Sequence, residues 1–125
     1  MTDEEIDSLV AGHEMDALIA EHVFQWKWLQ YLNMSTAKAH RYLAPKETNP
    51  LSYPVVILHI PHYSTSIEDA WKIVDKFGFV IDARTNTTIV YSVYFGREEE
   101  MGRAFGSAPL AICKAGLRKA MGKTE

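Results

Sequence analysis

Apolar positions recur along the chain first with helical spacing, then with strand-like spacing, then in alternation. Thr2 and Glu5 stand ahead of Ile6, Leu9 and Val10 at the spacing of a capping box, in which a hydroxyl and a carboxylate satisfy each other's free amides. Beyond Gly12, the residues Met15, Leu18, Ile19, His22, Val23 and Trp26 predict a main helix over 13–25, closed by Trp26-Lys27-Trp28. No period is sustained over 29–54, where Asn33, Ser35, Pro45, Asn49 and Pro50 interrupt the pattern. This reads as a long connection with a short strand or helical turn within 37–43.

The β-branched run Val55-Val56-Ile57-Leu58-His59-Ile60, bracketed by Pro54 and Pro61, predicts a buried strand. Thr65 and Glu68 repeat the capping-box spacing, and Ile67, Ala70, Trp71 and Val74 form an apolar stripe before Gly78 can end the helix. Two strands over 79–83 and 88–95 follow, joined by Arg84-Thr85-Asn86-Thr87 as an antiparallel hairpin. Large side chains on both faces of the second imply cover on both sides. Residues 96–106, with Glu98-Glu99-Glu100 inside them, read as a solvated loop. Ser107 caps a final helix with Pro109 in its first turn and Leu110, Ile112, Cys113, Leu117, Ala120 and Met121 on its apolar side.

The order α-β-α-β-β-α predicts an α+β chain folded as a three-layer α/β/α sandwich around a small antiparallel or mixed sheet. With 125 residues, 47% apolar and 23% charged, it reads as one domain over 1–125, with a polar tail at 122–125. The formal net charge of −3 gives no general attraction to polymeric nucleic acid or anionic membrane, so any bound anion needs a local group of donors. A single cysteine, Cys113, excludes an internal disulfide framework, and the acidic start MTDEEID lacks the basic opening of a signal peptide. Both features point to the cytosol.

Candidate chemistry falls in three places. Tyr63, Ser64 and Thr65 precede a helix whose free amides can receive a phosphate, or they serve only as a cap, since the Thr65/Glu68 box already uses an amide. Lys114 and Arg118, four residues apart, share a helix face away from Leu110 and Leu117, where they can bind phosphate or merely complement the helix dipole. Tyr91, Tyr94, Phe95 and Arg97 gather at a strand end, where aromatic faces can stack a base. Arg84 and Arg103 are further cations. His59 with His62, and His13 with His22, lack cysteine or carboxylate neighbours at ligand spacing, so neither a metal nor a cofactor is expected. No nucleophile stands beside a base, and no phosphate-loop or nucleophile-elbow pattern occurs, so no enzymatic activity is expected.

Three segments carry a family resemblance. "MDALIAEHVFQW", "PHYSTSIEDAWKIVDKF" and "APLAICKAGLRKA" resemble the first-helix, central and closing-helix signatures of the phage ABA-sandwich domain family. Phe24-Gln25 departs from a common Met-Gly, and Lys114 from a common arginine. The resemblance implies a phage or prophage protein without enzymatic activity, acting in the host cytoplasm. In size, element order and basic closing helix the chain also resembles phage anti-defence sponges of the Thoeris system, which hold cyclic ADP-ribose-type signals without cutting them. That likeness implies a homo-oligomer binding a small cyclic nucleotide through Lys114, Arg118 and the strand-end aromatics. The alternative is a structural or protein-binding module that presents Trp26, Trp28 and the 29–54 connection to a phage or host protein.

Overall fold

The computed structural model describes residues 1–33, 35–51 and 57–121. Nine elements follow in order: α1 (Asp3–Ser8), α2 (His13–His22), β1 (Lys27–Asn33), β2 (Lys38–Ala44), α3 (Ile67–Phe77), β3 (Val80–Ala83), β4 (Thr87–Tyr94), β5 (Arg97–Phe105) and α4 (Ala108–Ala120). The class is α+β, with four helices and two small antiparallel sheets ordered β1-β2 and β3-β4-β5. Strands β1 and β5 depart from expectation, β2 takes the place of the short strand or helical turn expected within 37–43, and 57–60, the described part of the strand expected at 55–60, forms no strand.

The caps act locally. Thr2 Oγ1 accepts the Glu5 amide while Glu5 Oε1 accepts the Thr2 amide, each at 3.2 Å, so α1 starts where the capping box placed it. Helix α2 stops at His22, three residues short of expectation, because Gln25 turns left-handed at φ 60° and the Trp26 amide folds back onto the Ala20 carbonyl. The Trp26-Lys27-Trp28 stretch therefore does not close the helix, and Lys27 opens β1.

The expected connection over 29–54 holds an antiparallel ribbon running from Lys27 opposite Ala44 to Asn33 opposite Lys38. The predicted strand at 55–60 is not observed: Val55 and Val56 lie outside the described residues, and 57–60 form no regular element. Ile57 and Leu58 are about half exposed, not buried as the predicted strand requires.

Helix α3 is capped one residue later than expected. Ser66, not Thr65, accepts the Asp69 amide, and Gly78 ends the helix in the left-handed conformation at φ 69°. Its buried face is Ala70, Ile73 and Val74, while Ile67 and Trp71 from the expected stripe are largely exposed. The β3–β4 hairpin forms with Val80 opposite Tyr91 and Ala83 opposite Thr88.

The acidic stretch expected as a loop is strand β5. Its first half, Arg97 to Glu100, is exposed, and its second half buries Met101 and Ala104. Between them the pairing shifts: Val90 faces Gly102 and Tyr91 faces Glu100, so Met101 is the extra residue of a β-bulge.

Helix α4 lies across β5 and β4, and α3, α2 and α1 pack in turn upon it. Seven consecutive residues, Ala111 to Leu117, are buried, so this helix is enclosed on every side. The approach depends on Gly102, where an added Cβ would come within 2.7 Å of the Ala115 amide nitrogen and closer still to the Ala111 carbonyl oxygen. Among the described residues no helix is long and apolar enough to cross a membrane.

Candidate functional site

The segment Tyr63-Ser64-Thr65 is a structural knot. Ser64, fully buried, accepts the Gly12 amide at 2.9 Å through its hydroxyl oxygen and donates to Asp16 Oδ1 at 2.7 Å. The Ser64 amide donates to the same carboxylate oxygen, also at 2.7 Å. Asp16 sits in the first turn of α2, where its charge meets the positive end of the helix, so one carboxylate ties α2 to the approach of α3. The second carboxylate oxygen of Asp16 faces His62 Nδ1 at 3.9 Å.

Most of the amides around the start of α3 that were expected to receive an anion are engaged within the fold. The Thr65 and Ser66 amides donate to the His62 carbonyl, Asp69 to the Ser66 hydroxyl, and Ala70 to the Ser66 carbonyl. The Asp69 carboxylate turns back to accept the His62 amide at 2.9 Å, holding a negative charge where an anion would have to enter. Tyr63 is buried and stacked on Phe24, with ring centroids 5.1 Å apart. Burial, helped by the negative charge of Asp69, pushes its phenol up to about 12. A recess of about 260 Å³ beside this knot is walled by the single stretch Leu9 to Met15, and the Gly12 amide within it is held by Ser64.

Lys114 and Arg118 face inward rather than toward solvent, which corrects the expectation of an open cationic face. Lys114 is only 8% exposed, and its ammonium donates to the Asp7 carbonyl at 2.8 Å, completing the C-terminal turn of α1, which has no basic residue of its own. The Arg118 side chain is 15% exposed and uses its whole fork. Nη1 donates to the Met101 carbonyl at 2.6 Å, Nε to Asp3 Oδ1 at 3.3 Å, and Nη2 to the Asp3 carbonyl and Asp7 Oδ1. A bulge interrupts the ladder at its extra residue, and this arginine supplies a donor to the carbonyl there. The two cations thus fasten α1 and the bulge of β5 to α4. Spacing alone could not show this, although an acidic first helix without a local cation was the signal available.

The strand-end candidates do come together. Tyr94 pairs directly with Arg97 across a two-residue turn formed by Phe95 at φ 51° and Gly96 at φ 75°. Tyr94 is 70% and Phe95 88% exposed, their rings meeting edge to face at 4.4 Å. Tyr91 lies farther down the strand, half-buried opposite Glu100. Arg84 donates through Nε and Nη2 to Asp82 at 3.1 Å, and Arg103 through Nη2 to Glu100 at 2.7 Å. Each carboxylate raises its guanidinium above the ordinary value. Of the candidate arginines, Arg97 is the one with no ion pair among the described residues.

Phe95 matters more than the sequence indicated. Two-residue hairpin turns with both φ values positive favour Asn or Gly, and a bulky aromatic there is an outlier. Cys113 is buried, and burial raises its thiol well above the ordinary range, leaving little thiolate for chemistry. Among the described residues no group of three or more His, Cys, Asp or Glu could hold a metal ion.

No curated protein and no solved structure matches the chain. The sequence model of the phage ABA sandwich domain family matches residues 17–117, which include α3, all three strands of the larger sheet and most of α2 and α4. The expectation drawn from the three signature segments holds, and the chain belongs to the phage ABA sandwich domain family.

Proposed function

We propose that this phage-family protein is a non-enzymatic interaction module that acts in the host cytoplasm by presenting exposed aromatic side chains on β-hairpins to another protein. The observation that carries this reading is Phe95, fully projecting at the tip of the β4–β5 hairpin in a left-handed backbone conformation. Such a conformation costs a side-chain-bearing residue about 1–2 kcal/mol, and the exposed ring returns no burial to the fold. Tyr94 beside it and the half-exposed Trp28 on the ribbon add apolar area to the same kind of surface. Trp26, by contrast, packs against the core. The buried states of Ser64 and Cys113 support a role without catalysis.

The reading as a sponge for a cyclic nucleotide loses its main support because Lys114 and Arg118 hold the fold together. Tyr94, Phe95 and Arg97 remain clustered at the hairpin tip, while Arg84 and Arg103, which lie near Tyr91, are each taken up by a carboxylate. The test is capture from phage-infected cells with wild-type protein and Phe95→Asn, a substitution suited to the turn. Loss of a reproducible protein partner is expected, with thermal stability maintained or raised because asparagine relieves the left-handed strain. Equal capture by both proteins overturns the reading, as does a calorimetric signal with cyclic ADP-ribose isomers or cyclic oligonucleotides in the absence of any protein partner.

A further inference from the structure

The two hairpins carry opposite net charge, +3 over 27–44 and −1 over 87–105, where three glutamates outnumber Arg97 and Arg103. From Lys27 to Lys46 the sequence contains Lys27, Lys38, Arg41 and Lys46 and no Asp or Glu. The β1–β2 ribbon built from this stretch exposes all of Lys38 to Arg41. It also presents a Tyr31–His40–Tyr42 cluster on one face and Trp28 under the Arg41 guanidinium, 4.9 Å from the ring centroid, on the other. On the β4–β5 hairpin, Glu98, Glu99 and Glu100 are exposed next to Tyr94 and Phe95. Arg103 pairs with Glu100, while Glu98 and Glu99 have no ion pair among the described residues.

Among the described residues both elements also have edges that pair with no further strand. β5 is an outer strand of its sheet, and the ribbon has only two strands, so both are edges. Only the ribbon's base, at Leu43 and Ala44, is buried. A two-stranded ribbon is marginal in water without a third strand or a covering surface, and an exposed edge offers unpaired amides and carbonyls to any strand that fits it. The carboxylates of Glu98 to Glu100 oppose pairing of β5 with another β5, but favour a strand rich in lysine and arginine.

Resting on the reading of the protein as an interaction module, we infer that its partner is a second copy of the same chain. The acidic β4–β5 hairpin of one copy lies against the basic β1–β2 ribbon of the other. Charge complementarity selects this pairing over contacts between like hairpins, and the aromatic side chains on both elements supply the apolar contact beneath the charges. Because the charges are exposed, the contact weakens as salt shortens the screening length below about 8 Å.

The test is sedimentation velocity on the full chain across a concentration series, with two charge-reversed variants. One carries Glu98→Lys with Glu99→Lys, and the other Lys38→Glu with Arg41→Glu. Wild type is expected to sediment as a dimer or larger species, and each variant alone as a single chain. An equimolar mixture of the two variants should recover the associated species, since each hairpin then meets a ribbon of opposite charge; that recovery also shows that both variants are folded. A monomeric wild type, self-association by either variant alone at wild-type strength, or a mixture that stays monomeric overturns the inference. A monomeric wild type that still captures another protein through Phe95 removes only the self-pairing and leaves the interaction-module reading standing.

Discussion

Replacing Gly102 with alanine tests the packing on which the rest of the molecule depends. The new methyl group would sit within 2.7 Å of the Ala115 amide nitrogen and closer to the Ala111 carbonyl oxygen, both backbone atoms of α4. Ordinary contact lies at 3.4–4 Å, so β5 and α4 must separate by roughly 1 Å. No side-chain rotation relieves the clash, and the helix face involved is enclosed on all sides. Overpacking costs about 1–3 kcal/mol where neighbours can adjust, so about 3 kcal/mol or more is expected here. At roughly 4 °C per kcal/mol for a domain of this size, Tm should fall by about 12 °C.

Gly116→Ala is the control. Its methyl group meets the Ile73 Cγ2 atom at 2.8 Å, a side-chain contact that can shift, and alanine gains about 1 kcal/mol of helix preference. That variant should stay within about 1 kcal/mol of wild type. Urea unfolding of both, followed by circular dichroism, makes the comparison. A Gly102→Ala loss below about 1 kcal/mol, or a larger loss at Gly116, would refute the close approach of β5 to α4.

Ser64→Ala should cost about 2–4 kcal/mol in urea unfolding, because it leaves the Gly12 amide without an acceptor and the buried Asp16 carboxylate without a hydroxyl donor. Arg118→Met keeps the aliphatic stem but frees the Met101 carbonyl and both α1 carboxylates; a loss of about 2–3 kcal/mol is expected, with faster hydrogen exchange in α1. Stability should fall between about pH 10 and about pH 12, where the unfolded chain ionises Tyr63 and the folded chain does not. The sign follows because the raised value keeps the phenol neutral in the fold, so rising pH favours the unfolded state; Tyr63→Phe should flatten that window in unfolding midpoints measured at stepped pH. Cys113 should resist a thiol-alkylating reagent until the chain unfolds, which mass spectrometry can follow.

What the sequence disclosed was local. The Thr2/Glu5 box, the left-handed stop at Gly78, the Ser107 cap and the β3–β4 hairpin each depend on residues a few positions apart, and each forms where the pattern placed it. Of the ribbon the sequence offers only a short strand or helical turn within 37–43, because in β1 Trp28, Gln30 and Leu32 share one face while Leu29, Tyr31 and Asn33 share the other, so neither face is cleanly apolar. Strand β5 was hidden by its glutamates, which belong to an exposed half that no core selects against. The inward turn of Lys114 and Arg118 depends on α1 crossing from the far end of the chain. Their spacing was read correctly, but the element that covers that face was not legible in it.

The central claim is that contact with other molecules runs through the aromatic hairpin tip, while the closing-helix cations serve the fold. Placing a photoreactive benzoyl-phenylalanine at position 95 or at position 118, and irradiating phage-infected cells that express each variant, tests it most directly. The account predicts a discrete protein adduct from position 95 and none from position 118. An adduct from position 118 alone, with position 95 silent, would contradict it.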